Sequence, residues 1–134
     1  GIMKIQVVAV LLFALSATEI CEALNFFQKH VVPQMAPGDC NTKMKVINEQ
    51  KKKCKPINTF FLDPKGVLTG ICNHGNKKPI MDIDLEIIDC KVDNKKYPHC
   101  TYKSVPGKAT SVTVLCDQNN VPYHLEDVKR AGRK

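Results

Sequence analysis

Residues 54–60 read Cys54-Lys55-Pro56-Ile57-Asn58-Thr59-Phe60. The stretch places a lysine between a cysteine and a proline. A disulfide would limit motion on one side, and the fixed φ of proline limits it on the other. Holding a long, flexible cation in place costs conformational entropy. Such an arrangement is worthwhile where the position of the charge matters; the plain alternative is an ordinary basic loop.

Outward from Cys54, five more cysteines follow the same wide spacing: Cys40, Cys72, Cys90, Cys100 and Cys116. No two of these six form the C-x-x-C pair that a zinc site uses, so no metal and no cofactor is expected. Disulfides in an oxidising compartment are the expected use of the six, and spacing leaves their pairing open. The seventh cysteine, Cys21, lies in a different kind of segment. Lys4, the apolar run Ile5 to Leu15 and the small and polar residues Ser16 to Ala23 follow the plan of a secretory leader. As a helix that apolar run would rise about 16 Å, short of a hydrocarbon core of about 30 Å. A cut after Ala23 removes Cys21 and leaves an even number of thiols. A cut near Ala17 or Thr18 would keep Cys21 and a longer amphipathic helix through Ile20, Leu24 and Phe27. The expected division is therefore a leader over 1–23 and one domain over 24–134, ending in a basic tail.

The whole chain of 134 residues carries 20 Lys and Arg against 13 Asp and Glu. Without residues 1–23 these become 19 and 11, a net charge of +8. That excess favours polyanions such as RNA, glycosaminoglycans or anionic membranes, without choosing among them.

Local patterns give an α+β order. Phe26 to Val32 is a short helix candidate that stops before Pro33. Asn41 to Lys53 reads as a second helix, with Met44, Val46 and Ile47 as a loose apolar stripe. Lys51, Lys52 and Lys53 suit its negative end. Met81, Ile83, Leu85 and Ile87 alternate with Asp82, Asp84 and Glu86, the period of a half-buried strand. Thr110 to Cys116 is a second strand, and Pro64-Lys65-Gly66 and Pro106-Gly107 are expected turns.

Histidine is the side chain suited to proton transfer near neutrality. His30 closes the first helix candidate and His124 lies near the C-terminus in Pro122-Tyr123-His124-Leu125. His74 and His99 sit in loop-like sequence and are assigned no chemistry. The chain contains no N-x-[ST] sequon.

The heptapeptide at 54–60 resembles the signature of pancreatic-type ribonucleases, the ribonuclease A superfamily. The cysteine series is similar too, as are Cys40-Asn41 with Met44, Tyr97-Pro98-His99-Cys100-Thr101-Tyr102, and Val121-Pro122-Tyr123-His124-Leu125. The likeness runs from Phe26 to Glu126. It implies N-terminal helices with a V-shaped, mostly antiparallel sheet, and disulfides Cys40–Cys90, Cys54–Cys100 and Cys72–Cys116. The absence of cysteine from Asn73 to Asp89 resembles the three-bridge, angiogenin-like branch.

The same resemblance implies a secreted, monomeric endoribonuclease that cleaves single-stranded RNA after pyrimidines through a 2′,3′-cyclic phosphate. His30 would be the base, His124 the acid and Lys55 the charge stabiliser. Lys29, Asn58 and Thr59 would contact substrate, Thr59 reading the base, while Phe60 is core. Lys29 stands where the family usually has glutamine, and Glu126 where it has aspartate. Either Glu126 or Asp127 could orient His124, and Asp127 could obstruct the base pocket. The alternative is an angiogenin-like cationic host-defence or angiogenic protein with weak ribonuclease activity. That reading adds anionic cell surfaces, nuclear delivery after uptake and a cytosolic ribonuclease inhibitor. Its basis is the charge, the run Lys51 to Lys53 and the basic end Lys129-Arg130 with Arg133-Lys134.

Overall fold

Asn25 begins the first helix, α1 (Phe26–His30), by a reciprocal cap: its side chain accepts from the Gln28 N–H at 2.8 Å, and the Gln28 side chain accepts from the Asn25 N–H at 2.9 Å. In this computed structural model, which describes residues 24–132, α1 ends two residues earlier than its sequence pattern suggests. Val31 and Val32, both β-branched, leave the helix as strand β1 (Val31–Val32) and pair with Phe61 and Leu62 in parallel. The expected leader over 1–23, with Cys21, and Arg133-Lys134 lie outside the described residues.

A 3₁₀ turn over Pro37–Asp39 leads into α2 (Cys40–Glu49), which buries Cys40, Met44, Ile47 and Asn48. Val46 points outward, 49% exposed, so it is not part of the stripe. Asn48, four residues after Met44, takes its place on the buried face. The helix ends before the lysine run, and its last turn holds no basic residue. Lys51 to Lys53 form a separate turn in which Lys52 adopts a left-handed φ of 54°. The lysines therefore follow the helix rather than forming its last turn.

Four longer strands complete the sheet: β2 (Ile57–Leu62), β3 (Ile80–Asn94), β4 (Thr101–Cys116) and β5 (Pro122–Arg130). They stack in the order β1-β2-β3-β4-β5, antiparallel after the first pair. Alternation sends neighbours to opposite faces, which gives two cores. Phe61 and Ile87 pack with Phe26, Leu68, Ile71, Val112 and Val114. Phe60 and Ile88 pack on the other side with Met44 and Ile47 of α2.

Pro64 and Lys65 form the expected turn, closed by Gly66 at φ 72°. Pro106-Gly107 does not turn. Both residues lie within β4, opposite Ile88 and Ile87. The pairing of β5 reaches only Ala109, so Pro106 occupies a stretch of β4 with one strand neighbour and its missing N–H leaves no ladder bond broken.

The three bridges are Cys40–Cys90, Cys54–Cys100 and Cys72–Cys116. They tie α2 to β3, the segment before β2 to the start of β4, and the loop before β3 to the end of β4. Each closes a loop of 44 to 50 residues, for which chain entropy predicts about 4 kcal/mol of stabilisation.

Candidate active site

Three chain segments meet over one open cleft. The end of α1 brings Lys29 and His30, the start of β2 with its preceding loop brings Lys55, Asn58 and Thr59, and β5 brings His124. The cleft encloses about 350 Å³. All six residues assigned to catalysis or substrate from the sequence line it.

His30 is 6% exposed, and its Nδ1 lies 2.9 Å from the backbone carbonyl of Thr59. A carbonyl only accepts, so Nδ1 carries the hydrogen and Nε2 holds a free lone pair. Burial pulls the pKa of His30 down to about 4, against an ordinary 6.5. The Thr59 hydrogen bond opposes that shift, while Lys55, Lys29 and His124 add to it as nearby positive charges. The imidazole is therefore kept neutral, with Nε2 ready to take a proton.

Lys55 is fixed at both ends. Its N–H donates to Asn48 Oδ1 at 2.9 Å, its carbonyl accepts from the Tyr102 hydroxyl at 2.7 Å, and its Nζ donates to Asn58 Oδ1 at 2.8 Å. Asn58 in turn donates through Nδ2 to the Lys29 carbonyl at 2.8 Å, joining β2 to the end of α1. Burial lowers the pKa of Lys55, and the Lys29 and Lys51 charges lower it further. A cation held against this repulsion suits a site where an anion arrives.

Thr59 presents its backbone and side chain differently. Its carbonyl faces His30, so in an extended strand its N–H faces the same open edge, away from β3. Its hydroxyl donates to Asp89 Oδ1 and accepts from Arg130 Nη2 at 3.2 Å. Arg130 also donates to both oxygens of Asp89, at 2.9 and 2.8 Å. Asp127 lines the cleft but forms no hydrogen bond to Thr59. The β5 residue that reaches the hydroxyl is Arg130.

His124 is more open, with 57% of its side chain exposed. Its Nε2 lies 3.4 Å from Glu126 Oε1, two positions along β5, where the register with β4 shifts. Glu126 thus holds the contact to His124, and it also meets Lys78 at 3.5 Å. His74 and His99 are exposed and lie outside the cleft.

Sequence reading missed Asn48, Asp89, Tyr102 and Arg130. Asn48 was visible as a polar residue at helical spacing from Met44, and Asp89 as a carboxylate interrupting Ile87-Ile88 and Cys90. Tyr102 lay within a matched motif without a role, and Arg130 was grouped with the basic tail.

Comparisons with known proteins bear on the family and the fold. The pancreatic ribonuclease family model matches residues 21–126. A pancreatic ribonuclease of Mus pahari is 35% identical over 101 residues, covering 68% of this chain and 67% of that protein. One from Myocastor coypus is 31% identical over 104 residues, covering 70% and 80%. Among solved structures, SS-RNase-2 superposes with a TM-score of 0.62 at 27% identity over 79% of this chain and 95% of that one. Zebrafish RNase5 shares the fold at a TM-score of 0.61 and 22% identity, covering 76% and 89%. With a family model that spans most of the chain and a relative 35% identical over two thirds of it, this chain belongs to the pancreatic ribonuclease family.

Proposed function

We propose that this protein is a secreted endoribonuclease that cleaves single-stranded RNA on the 3′ side of pyrimidines. The observation that carries the reading is the neutral, oriented His30 beside a clamped Lys55, with His124 lining the same cleft. His30 Nε2 takes the proton from a ribose 2′-OH. The oxygen attacks the neighbouring phosphorus, and the bond from phosphorus to the 5′-oxygen breaks. His124, as imidazolium, gives its proton to that oxygen. The products are a 2′,3′-cyclic phosphate and a free 5′-OH, and the proton count balances. DNA lacks the attacking hydroxyl.

Lys55 stabilises the charge that grows on the phosphoryl oxygens, a preorganised electrostatic contribution. Lys29 adds a second positive charge on the α1 side of the phosphate, and Asn58 holds Lys55 and Lys29 in register. Thr59 reads the base. Its N–H donates to the pyrimidine 2-oxygen, and its hydroxyl meets the ring N3. The six bridged cysteines and the leader-like N-terminus support export.

The test is cleavage of poly(C), poly(U) and poly(A) at fixed ionic strength, with product analysis for cyclic phosphate. Pyrimidine polymers yield cyclic ends, and His30→Ala, Lys55→Ala and His124→Ala each lose most of the activity. Equal activity in wild type and all three variants would overturn the reading.

A further inference from the structure

The alternation of Asp82, Asp84 and Glu86 with Ile83 and Leu85 has no part in the catalytic cleft. These five residues line a separate open groove of about 760 Å³, which shares no lining residue with the cleft of about 350 Å³. Leu62, at the end of β2, and Val67, in the turn beyond it, line the same groove. The three carboxylate side chains are exposed, and Ile83 and Leu85 are half-buried. Asp84 meets Lys108 at 3.1 Å on the open surface, while Asp82 and Glu86 form no ion pair among the described residues. Lys65 is the one basic residue lining the groove. A fourth carboxylate, Asp63, is buried and engaged, accepting from the Val67 and Leu68 N–H groups at 2.8 and 2.9 Å.

Along this groove the edge of β3 is open. In an antiparallel ladder every second residue turns its N–H and C=O away from a given neighbour. From Ile87 onward β2 meets those groups, starting at the pair Phe61 and Ile87. Ahead of Ile87, among the described residues, β3 pairs with β4 alone. Charges, and a register shift such as the one between Asp82 and Leu85, also keep an edge from chance pairing. Lysine is the usual guard, however, and a chain with 20 Lys and Arg places none of them over 80–86. Guarding an edge also requires no groove with aliphatic side chains beside it.

We propose that this groove docks an extended cationic peptide, which adds to the open edge of β3 as a further strand. Main-chain hydrogen bonds supply affinity in that mode, and alternate side chains supply specificity. Side chains two apart on a strand lie about 6.8 Å from each other. A peptide with a basic residue at every second position therefore sets its charges beside Asp82, Asp84 and Glu86. Aliphatic residues between them meet Ile83, Leu85 and Leu62. A second copy of this chain does not fit. Two β3 edges paired antiparallel about Asp84 would set Asp82 against Glu86 and Asp84 against its own copy, and like charges directly opposite are destabilising. The site is separate from the cleft, and the inference does not rest on the ribonuclease reading.

The probe is a short peptide of alternating lysine and valine, blocked at both ends and titrated against the full chain. Binding slows amide hydrogen exchange over 82–86 in the wild type. The triple variant Asp82→Asn/Asp84→Asn/Glu86→Gln binds about thirtyfold more weakly, the combined effect of three exposed ion pairs. Asp93→Asn, which removes an exposed carboxylate further along β3, binds as the wild type does. Methylating the backbone nitrogens of the peptide keeps its charge and removes its donors, and it weakens binding by about tenfold or more. Saturating peptide leaves cleavage of the dinucleotide UpA unchanged. Unaltered exchange over 82–86 overturns the proposal, as does equal binding by the triple variant or by the methylated peptide. Competitive inhibition of UpA cleavage would move the peptide to the cleft and overturn it too. So would a dimer in sedimentation that the triple variant fails to form, since the groove would then serve a second copy.

Discussion

The hydroxyl of Tyr102 donates to the backbone carbonyl of Lys55 at 2.7 Å, across 47 residues of sequence. The same hydroxyl lies 3.1 Å from Asn48 Oδ1, which also accepts the Lys55 N–H. A buried asparagine of α2 and a tyrosine of β4 therefore grip the peptide of the lysine from both sides. The nearby Cys54–Cys100 bridge joins the same two chain segments covalently. Lys55 is placed by its backbone, and Asn58 then directs its ammonium group.

Tyr102→Phe removes the hydroxyl and keeps the ring. Losing this part-buried hydrogen bond costs about 1 to 2 kcal/mol of stability, readable in urea unfolding. Because Tyr102 acts through Lys55, kcat falls by about tenfold while KM changes little. A stability loss with kcat intact would mean that the disulfide alone positions Lys55.

The pH dependence of stability follows from His30. Its folded pKa of about 4 lies below the ordinary 6.5, so the unfolded chain takes up a proton first as pH falls. Above 6.5 neither state is protonated and the group has no effect. Between 6.5 and 4 the unfolded state gains, and the full loss of about 3 kcal/mol is reached below 4. His30→Asn should flatten this part of the stability profile. In kinetics the base must be neutral, so the acid limb of kcat/KM, which reports the free enzyme, is centred near 4. A limb centred at 6.5 or above would show that burial does not govern the base.

The fold, and the meeting of His30, Lys55 and His124 in one cleft, were legible because they rest on local signals: a specific heptapeptide, period-two alternation in β3, and widely spaced cysteines. The errors came where tertiary pairing overrode local preference. Pro106-Gly107 carries a turn signal, yet β3 supplies a partner strand and β5 stops short, so the chain runs straight through. Lys51 to Lys53 continue a helical pattern, but the chain departs at Gln50. Arg130 was least legible of all. Nothing in its neighbourhood of sequence says that β5 extends far enough to return its guanidinium to Thr59, 71 residues away.

Asp89 and Arg130 form a pair of unequal burial, with side chains 7% and 42% exposed. Arg130→Ala leaves the Asp89 carboxylate buried without its cation, at a cost of about 2 kcal/mol after allowance for the exposed side of the arginine. Asp89→Ala leaves the arginine free to turn toward solvent. The double variant is then less destabilised than the sum of the singles, by about 1 kcal/mol or more in a double-mutant cycle. Strict additivity would show that the two-point contact contributes nothing to folding.

His124 and His30 can be told apart by the leaving group. The nucleoside 5′-oxygen needs a proton as it departs, so His124→Ala lowers kcat on UpA by about a thousandfold. A uridine 3′-(4-nitrophenyl phosphate) releases a stable phenolate and needs no such proton. His124→Ala therefore recovers most of its activity on the aryl ester, while His30→Ala, which still lacks the base for the 2′-OH, does not. The contact of Glu126 with His124, at 3.4 Å, is exposed to solvent. An ion pair of that kind is worth under about 1 kcal/mol, so Glu126→Gln lowers kcat on UpA less than about fivefold and leaves the aryl ester unchanged. Equal losses on both substrates in His124→Ala would remove the proton donor role from His124 and assign it to phosphate binding instead.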